Sequence, residues 1–206
     1  IMARDTGSIV KMRRREGYAL HPKAHKALVK RTTIPGYHGG RNQRNKASQY
    51  SLQLREKQKV KRLYGLLERQ FSKLMVEATR KQGQTGELLL QFLERRADNA
   101  IYRAGFASSR RASRQLVTHG HFMLNGRRVD IPSIRLTAGD ILVLRSHSKD
   151  NEYFKNIDDL SPAPSESPGW LKVNRKKFEI TVTGDPTREE VEPDINEQLI
   201  VEYYSR

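Results

Sequence analysis

The chain has no cysteine among its 206 residues. Disulfides, thiolate zinc sites and cysteine nucleophiles are excluded together. It also lacks any uninterrupted run of about 18 apolar residues, so no segment reads as a membrane-spanning helix. Aromatic residues make up only 7% and tryptophan occurs once. No helical segment carries the Trp- and Phe-rich apolar face of a membrane-surface helix. The opening Ile1-Met2-Ala3-Arg4 has no apolar stretch of signal-peptide length, from which an intracellular, cytoplasmic protein is expected. No GxSxG, HExxH or paired-carboxylate constellation is present, and the glycines around Gly36–Gly40 lack the strand and GK[ST] context of a nucleotide loop. No catalytic residue is assigned, and an enzyme is not expected.

What the chain has in excess is positive charge. Lys and Arg number 39 against 23 Asp and Glu, a formal net charge of +16. Residues 1–80 hold 20 of those cations and 5 of the acids, residues 81–135 hold 10 and 4, and residues 136–206 hold 9 and 14. The positive excess thus sits in the first two-thirds, where it would repel itself without a polyanionic partner. Nucleic-acid phosphates are that partner, since released counterions supply affinity.

Along the chain, residues 1–50 form a basic arm with at most short helices and too few apolar residues for a core of its own. Its candidate phosphate contacts are Arg13, Arg14, Arg15, His38, Arg41, Arg44 and Lys46. His21 and His25 stand four apart, as a helical metal pair would. No carboxylate or thiol completes the set and the surrounding cations oppose it, so neither a metal nor another cofactor is expected.

From about Leu54 to Arg80, Val60, Leu63, Tyr64, Leu67, Phe71, Leu74, Met75 and Ala78 recur at helical spacing as one apolar stripe. The flanking Arg55, Lys59, Arg62, Arg69 and Lys73 are candidate phosphate contacts. After a break at residues 82–86, Leu88, Leu89, Phe92, Leu93, Ala100 and Ile101 predict a helix that stops at Gly105. A third helix is capped by Ser108 or Ser109, packs Ala112, Leu116 and Val117, and ends at Gly120. Asn125-Gly126, between Phe122-Met123-Leu124 and Arg127-Arg128-Val129, marks a hairpin with a type I′ turn. A further strand is expected at residues 141–144, a polar loop at 146–169, and strands at 170–173 and 178–182. Within this stretch Arg110, Arg111, Arg114, Arg127 and Arg128, with His119, His121 and Asn125, concentrate the side chains suited to gripping phosphate.

These residues carry a resemblance. Residues 94–99 (ERRADN), 105–110 (GFASSR), 113–121 (SRQLVTHGH) and 124–129 (LNGRRV), followed by Ile131-Pro132-Ser133, resemble the small RNA-binding module named after small-subunit ribosomal protein four. Residues 35–39 (PGYHG), 52–60 (LQLREKQKV) and the ending from Asp194 to Tyr204 narrow the likeness to the family of bacterial small-subunit ribosomal protein four. Ala97 stands where that module usually has Leu, and Ser113 where Ala is common. With no cysteine, the chain cannot bind zinc as some relatives do.

The resemblance implies a primary binder of small-subunit ribosomal RNA at a multi-helix junction of the 5′ domain, nucleating assembly of the subunit body. It further implies a place in the messenger RNA channel beside small-subunit proteins three and five, and a part in translational accuracy at the contact with protein five. By position, the RNA-gripping residues are Arg55, Lys57, Lys59 and Lys61, then Ser109, Arg110, Arg114, Gln115, His119, Asn125 and Arg127. Pseudouridine synthases carry a similar module but add a far larger catalytic domain. A role as messenger-binding repressor is left open.

The expected fold is α+β. A helical lobe with its basic arm, residues 1–92, is rejoined by residues 185–206, and a two-helix module with a small, mostly antiparallel sheet covers residues 93–184. The acidic end is expected to face away from RNA, with Glu189, Glu190, Glu192, Leu199, Ile200 and Val201 docking either on the protein's own basic lobe or on a basic neighbouring protein such as small-subunit protein five. Deleting residues 195–206 is then expected to leave RNA binding largely intact. Neither a membrane, a small-molecule substrate nor a second copy of the chain is expected as partner.

Overall fold

A computed structural model describes residues 6–21, 29–31, 33–37, 47–162, 164 and 167–205. The chain divides into two compact units, residues 1–89 with 194–206, and residues 90–193.

In the first unit, α1 (Ile9–Glu16), α2 (Gln49–Leu63), α3 (Glu68–Arg80), the first half of α4 (Thr85–Glu94) and the terminal α9 (Glu197–Tyr204) gather around Val60, Leu63, Leu66, Phe71, Met75, Ala78, Leu89 and Ile200. The stripe expected as one helix over residues 54–80 is two helices. Gly65 adopts φ 65°, and the amides of Gly65 and Leu66 close back on the carbonyls of Arg62 (3.2 Å) and Lys61 (2.9 Å). That pairing is the glycine-based ending that satisfies a helix's last carbonyls. The apolar period stays in phase through the corner, so both helices share one core.

α9 packs along α2. Glu68 is the polar hub of this arrangement. Its carboxylate accepts from Lys57 Nζ at 2.7 Å, Lys61 Nζ at 2.9 Å and the Tyr204 hydroxyl at 2.8 Å. Burial pushes this carboxyl up, but those donors outweigh it and hold it at about 2, below the ordinary 4.5. A carboxyl depressed on folding stabilises the fold above its unfolded pKa, and that stability is lost as pH falls toward the folded value. Glu68→Gln is therefore expected to flatten the loss of first-unit stability between about pH 5 and pH 2. The side chain is 46% exposed, so screening limits the effect to about 1 kcal/mol. Thermal melts of both proteins across that pH range check it.

The second unit opens with the end of α4, then α5 (Ala97–Arg103) and α6 (Arg110–Thr118), and continues as a five-stranded antiparallel sheet. Its strands are β1 (Phe122–Leu124), β2 (Arg127–Val129), β3 (Ile141–Leu144), β4 (Leu171–Asn174) and β5 (Glu179–Val182), in the order β2-β1-β3-β5-β4. The mixed helical and antiparallel architecture is the α+β fold expected. One face of the sheet, with α5 and α6, buries Ile101, Phe106, Val117, Phe122, Leu136, Leu142, Leu144 and Ile180.

Three local expectations are corrected. The helix expected to run to Gly105 breaks at Arg95-Arg96, where the backbone turns extended. The break is held from a distance: Ala97 N–H donates to Ile134 O at 2.8 Å and Leu136 N–H to Arg95 O at 2.8 Å. Residues 146–169 are not simply a loop. They hold the short helices α7 (Glu152–Lys155) and α8 (Ile157–Leu160), which anchor buried Phe154 and Ile157. The last two strands start one residue later than expected, and Phe178 leaves the strand because its φ is 54°.

Candidate nucleic-acid interface

Successive residues on a helix point about 100° apart, and the three arginines of α1 show it. Arg13 is buried, its guanidinium donating to the carbonyls of Tyr18 (3.3 Å) and His21, and burial lowers its pKa. Arg14 reaches Thr33 at 3.0 and 3.2 Å. Arg15 alone of the three is exposed. His38, Arg41, Arg44 and Lys46 lie outside the described residues.

The cations of α2 are spent within the first unit. Arg55 and Arg62 both bind the Glu16 carboxylate, the former at 3.1 Å, and that carboxylate is 1% exposed. Burial pushes Glu16 up against the pull of Arg55, Arg62 and Arg15. Lys57 is buried, paired with Glu68 and 4.3 Å from the centroid of the Tyr203 ring. Lys59 binds Glu56 at 2.7 Å and the carbonyl of Asp194 at 2.6 Å, and Lys61 binds Glu68. These side chains tie α1, α3 and the C-terminal segment to α2. They are internal ties.

The second unit divides its polar residues the same way. Ser109 is the N-cap of α6, accepting from Ala112 N–H at 3.2 Å. Glu94, fully buried, accepts from Asn99 Nδ2 at 2.7 Å and from two nitrogens of Arg103 at 3.0 and 2.9 Å. Arg110 donates to Asn99 Oδ1 at 2.8 Å and to Glu192 at 3.1 Å, and it lies over the Tyr102 ring. Arg96 forks onto Asp98 at 3.0 and 2.8 Å, and Arg114 meets the same carboxylate at 3.2 Å. Asn125, at φ 49°, donates to Asp140 at 2.8 Å and accepts from Ile141 N–H at 2.9 Å, which locks the type I′ turn. Ser109, Arg110, Arg114 and Asn125 therefore hold the module's shape.

Other polar residues of the unit remain exposed. Arg111 and Gln115 on α6, and His119 at its C-cap, are exposed at spacings of four. Arg127 and Arg128 are exposed on β2, an edge strand. Arg128 lies against Gly120 so closely that an added Cβ there would come within 2.4 Å of its Nε. Arg145, which sequence reasoning missed, donates to Gly120 O at 3.2 Å. Two guanidinium groups thus meet at the C-terminal end of α6, where the helix dipole favours cations. His121 is half-buried rather than outward, 3.0 Å from Ser148 Oγ and edge-on to Phe154. Burial, then His119 and Arg145, lower its pKa, keeping it neutral at pH 7.

Among the residues expected at a protein surface, Glu189 is exposed. Glu190 accepts from Trp170 N–H at 3.2 Å and Thr187 N–H at 2.8 Å, and Glu192 is held by Arg110. Ile200 is fully buried and Leu199 and Val201 are half-buried, so Ile200 is a core residue of the first unit rather than a docking contact. Among the described residues, no group of three or more His, Asp and Glu is placed to hold a metal.

A helix–helix–hairpin module with exposed arginines, in a chain of net charge +16, suits a polyanionic partner. The sequence profile for the ribosomal protein S4/S9 N-terminal domain matches residues 4–94, and that for the S4 domain matches residues 95–142. The chain is 47% identical over 206 residues to small ribosomal subunit protein uS4 of Chloroflexus aurantiacus, covering all of both chains. The uS4 proteins of Herpetosiphon aurantiacus (48% over 211 residues) and Clostridioides difficile (47% over 211 residues) are likewise matched along their whole lengths. The chain belongs to the small ribosomal subunit protein uS4 family, whose members are structural rather than catalytic.

Proposed function

We propose that the chain is a structural constituent of the small ribosomal subunit that binds small-subunit ribosomal RNA and is located on cytoplasmic ribosomes. The target is the multi-helix junction of the 5′ domain, and the bound protein nucleates assembly of the subunit body. It contributes to the channel through which messenger RNA enters, beside small-subunit proteins three and five, and to accuracy at the contact with protein five. Family membership supports the ribosomal reading. One observation carries the assignment of the RNA face: Arg111, Arg127 and Arg128 are exposed, the first on α6 and the other two on the edge strand β2.

RNA is recognised through shape, backbone and unpaired bases rather than through a deep major groove, which suits an outward fork of arginines. Replacing Arg111, Arg127 and Arg128 together by Ala is expected to weaken binding to a 5′-domain transcript about a hundredfold, at about 1 kcal/mol per charge-assisted contact. The slope of log affinity against log salt should fall by about 3. Filter binding across a salt series measures both, and an unchanged affinity refutes this face.

A further inference from the structure

We propose that the second unit contacts RNA at two separate places, the second being the β4–β5 hairpin, where Lys172, Lys176 and Lys177 meet phosphates of a different RNA segment. The inference rests on the RNA-binding reading above and extends it. The strand order puts β2, with Arg127 and Arg128, at one edge of the sheet and β4 at the other. Four inter-strand spacings of about 4.8 Å separate those edges by roughly 19 Å. Opposite edges face apart, so one straight RNA segment cannot lie along both.

The hairpin is built to present charge. Its tip, residues 174–178, is fixed at three points. Asn174 Oδ1 accepts from Lys177 N–H at 3.2 Å. Arg175 donates to Asp158 at 2.8 Å and to the carbonyls of Gly105 (3.1 Å), Ile157 (3.4 Å) and Ser161. Phe178, at φ 54°, accepts from Leu144 N–H at 3.0 Å and sets its ring 5.8 Å from Phe106 and 6.0 Å from Phe154. A left-handed aromatic residue is a strained conformation that persists only where its surroundings over-determine it. These contacts fix the turn that carries Lys176 and Lys177.

Lys172, Lys176 and Lys177 are exposed and, among the described residues, their side-chain ammonium groups make no hydrogen bond or ion pair. This sets them apart from Lys57, Lys59 and Lys61, each of which is paired. A lysine on an edge strand also discourages edge-to-edge pairing, which explains Lys172 by itself. It does not explain Lys176 and Lys177, which stand in the turn beyond the ladder. The acid nearest in register, Glu179 opposite Asn174, is half-buried and leaves the tip positive. Three unneutralised cations on a rigid support match a phosphate backbone, where each contact releases counterions.

Hydroxyl-radical footprinting of the 5′-domain transcript with the full chain tests this. The wild type, K172A/K176A/K177A and R111A/R127A/R128A are compared, with circular-dichroism melts verifying that each folds. The hairpin variant is expected to lose one set of protected nucleotides, the α6–β2 variant a different set, and the hairpin variant's salt slope should fall by about 3. A wild-type footprint and slope for the hairpin variant overturns the proposal, as does loss of the same nucleotides in both variants. Absence of salt-dependent protection by the wild type would instead overturn the RNA-binding reading itself.

Discussion

Glu94→Ala is expected to destabilise the second unit by about 3–5 kcal/mol, the range for removing one partner of a buried ion pair. The carboxylate is fully buried and takes three hydrogen bonds from Asn99 and Arg103. Its loss takes from the Arg103 guanidinium, 19% exposed, the carboxylate that accepts two of its hydrogen bonds, while Glu192 stands farther off at 3.8 Å. Asn99 loses an acceptor as well, and Asn99 positions Arg110 at 2.8 Å. Damage therefore propagates from the end of α4 through α5 to the first residue of α6. A loss of this size takes most of the stability of a small domain. Glu94→Gln should cost less, since it keeps one acceptor for Arg103. Urea titrations of the three proteins provide the measurement, and an alanine variant within 1 kcal/mol of wild type contradicts the argument. RNA affinity measured where the variant remains folded should change little, because Glu94 is fully buried and does not itself reach the surface.

Local chemistry was the legible part of this fold. The Asn125-Gly126 turn, the Ser109 cap and the helix stops at Gly105 and Gly120 each follow from what a few adjacent residues can do with their backbone. The helix breaks were not legible in the same way. At Gly65 the apolar period carries on in phase through the corner, so periodicity registers no interruption. At Arg95-Arg96 the cause is a pair of backbone hydrogen bonds to Ile134 and Leu136, some forty residues downstream.

The site was half legible for a related reason. A cation count says that phosphate is the partner, but not which cations are free to meet it. Lys57 is taken by Glu68 eleven residues on, and Arg110 by Glu192 eighty-two residues on. Only the folded chain brings those acids up. Averaging misleads in the opposite sense at residues 172–177. Their four Lys and Arg fall in the acidic stretch of residues 136–206, whose net charge hides them. A lysine pair closing an Asn-led turn between two strands was the local signal that could have exposed them.

Removal of residues 195–206 is expected to unfold much of the first unit and to weaken RNA binding with it, reversing the expectation from sequence alone. α9 is a wall of that unit's core. Ile200 is fully buried, and truncating such a side chain to Ala costs about 2–5 kcal/mol. The deletion also takes Glu202, which accepts from Gln53 Nε2 at 2.7 Å, and Tyr204, which donates to Glu68 at 2.8 Å. The ring of Tyr203 over Lys57 goes too, so a buried ammonium keeps only Glu68. Gly86 meets the start of α9 so closely that an added Cβ would lie 2.7 Å from Glu197 Cγ, and this contact is lost as well. These losses fall on one small core, so the deletion should exceed the cost of Ile200→Ala alone. Melting followed by circular dichroism should show the helical signal of residues 49–89 lost while the sheet unit still melts cooperatively, and limited proteolysis should cut within α2 and α3. Full retention of that helical signal together with wild-type RNA affinity would make α9 a dispensable tail. Its acidic residues would then be free for a neighbouring protein.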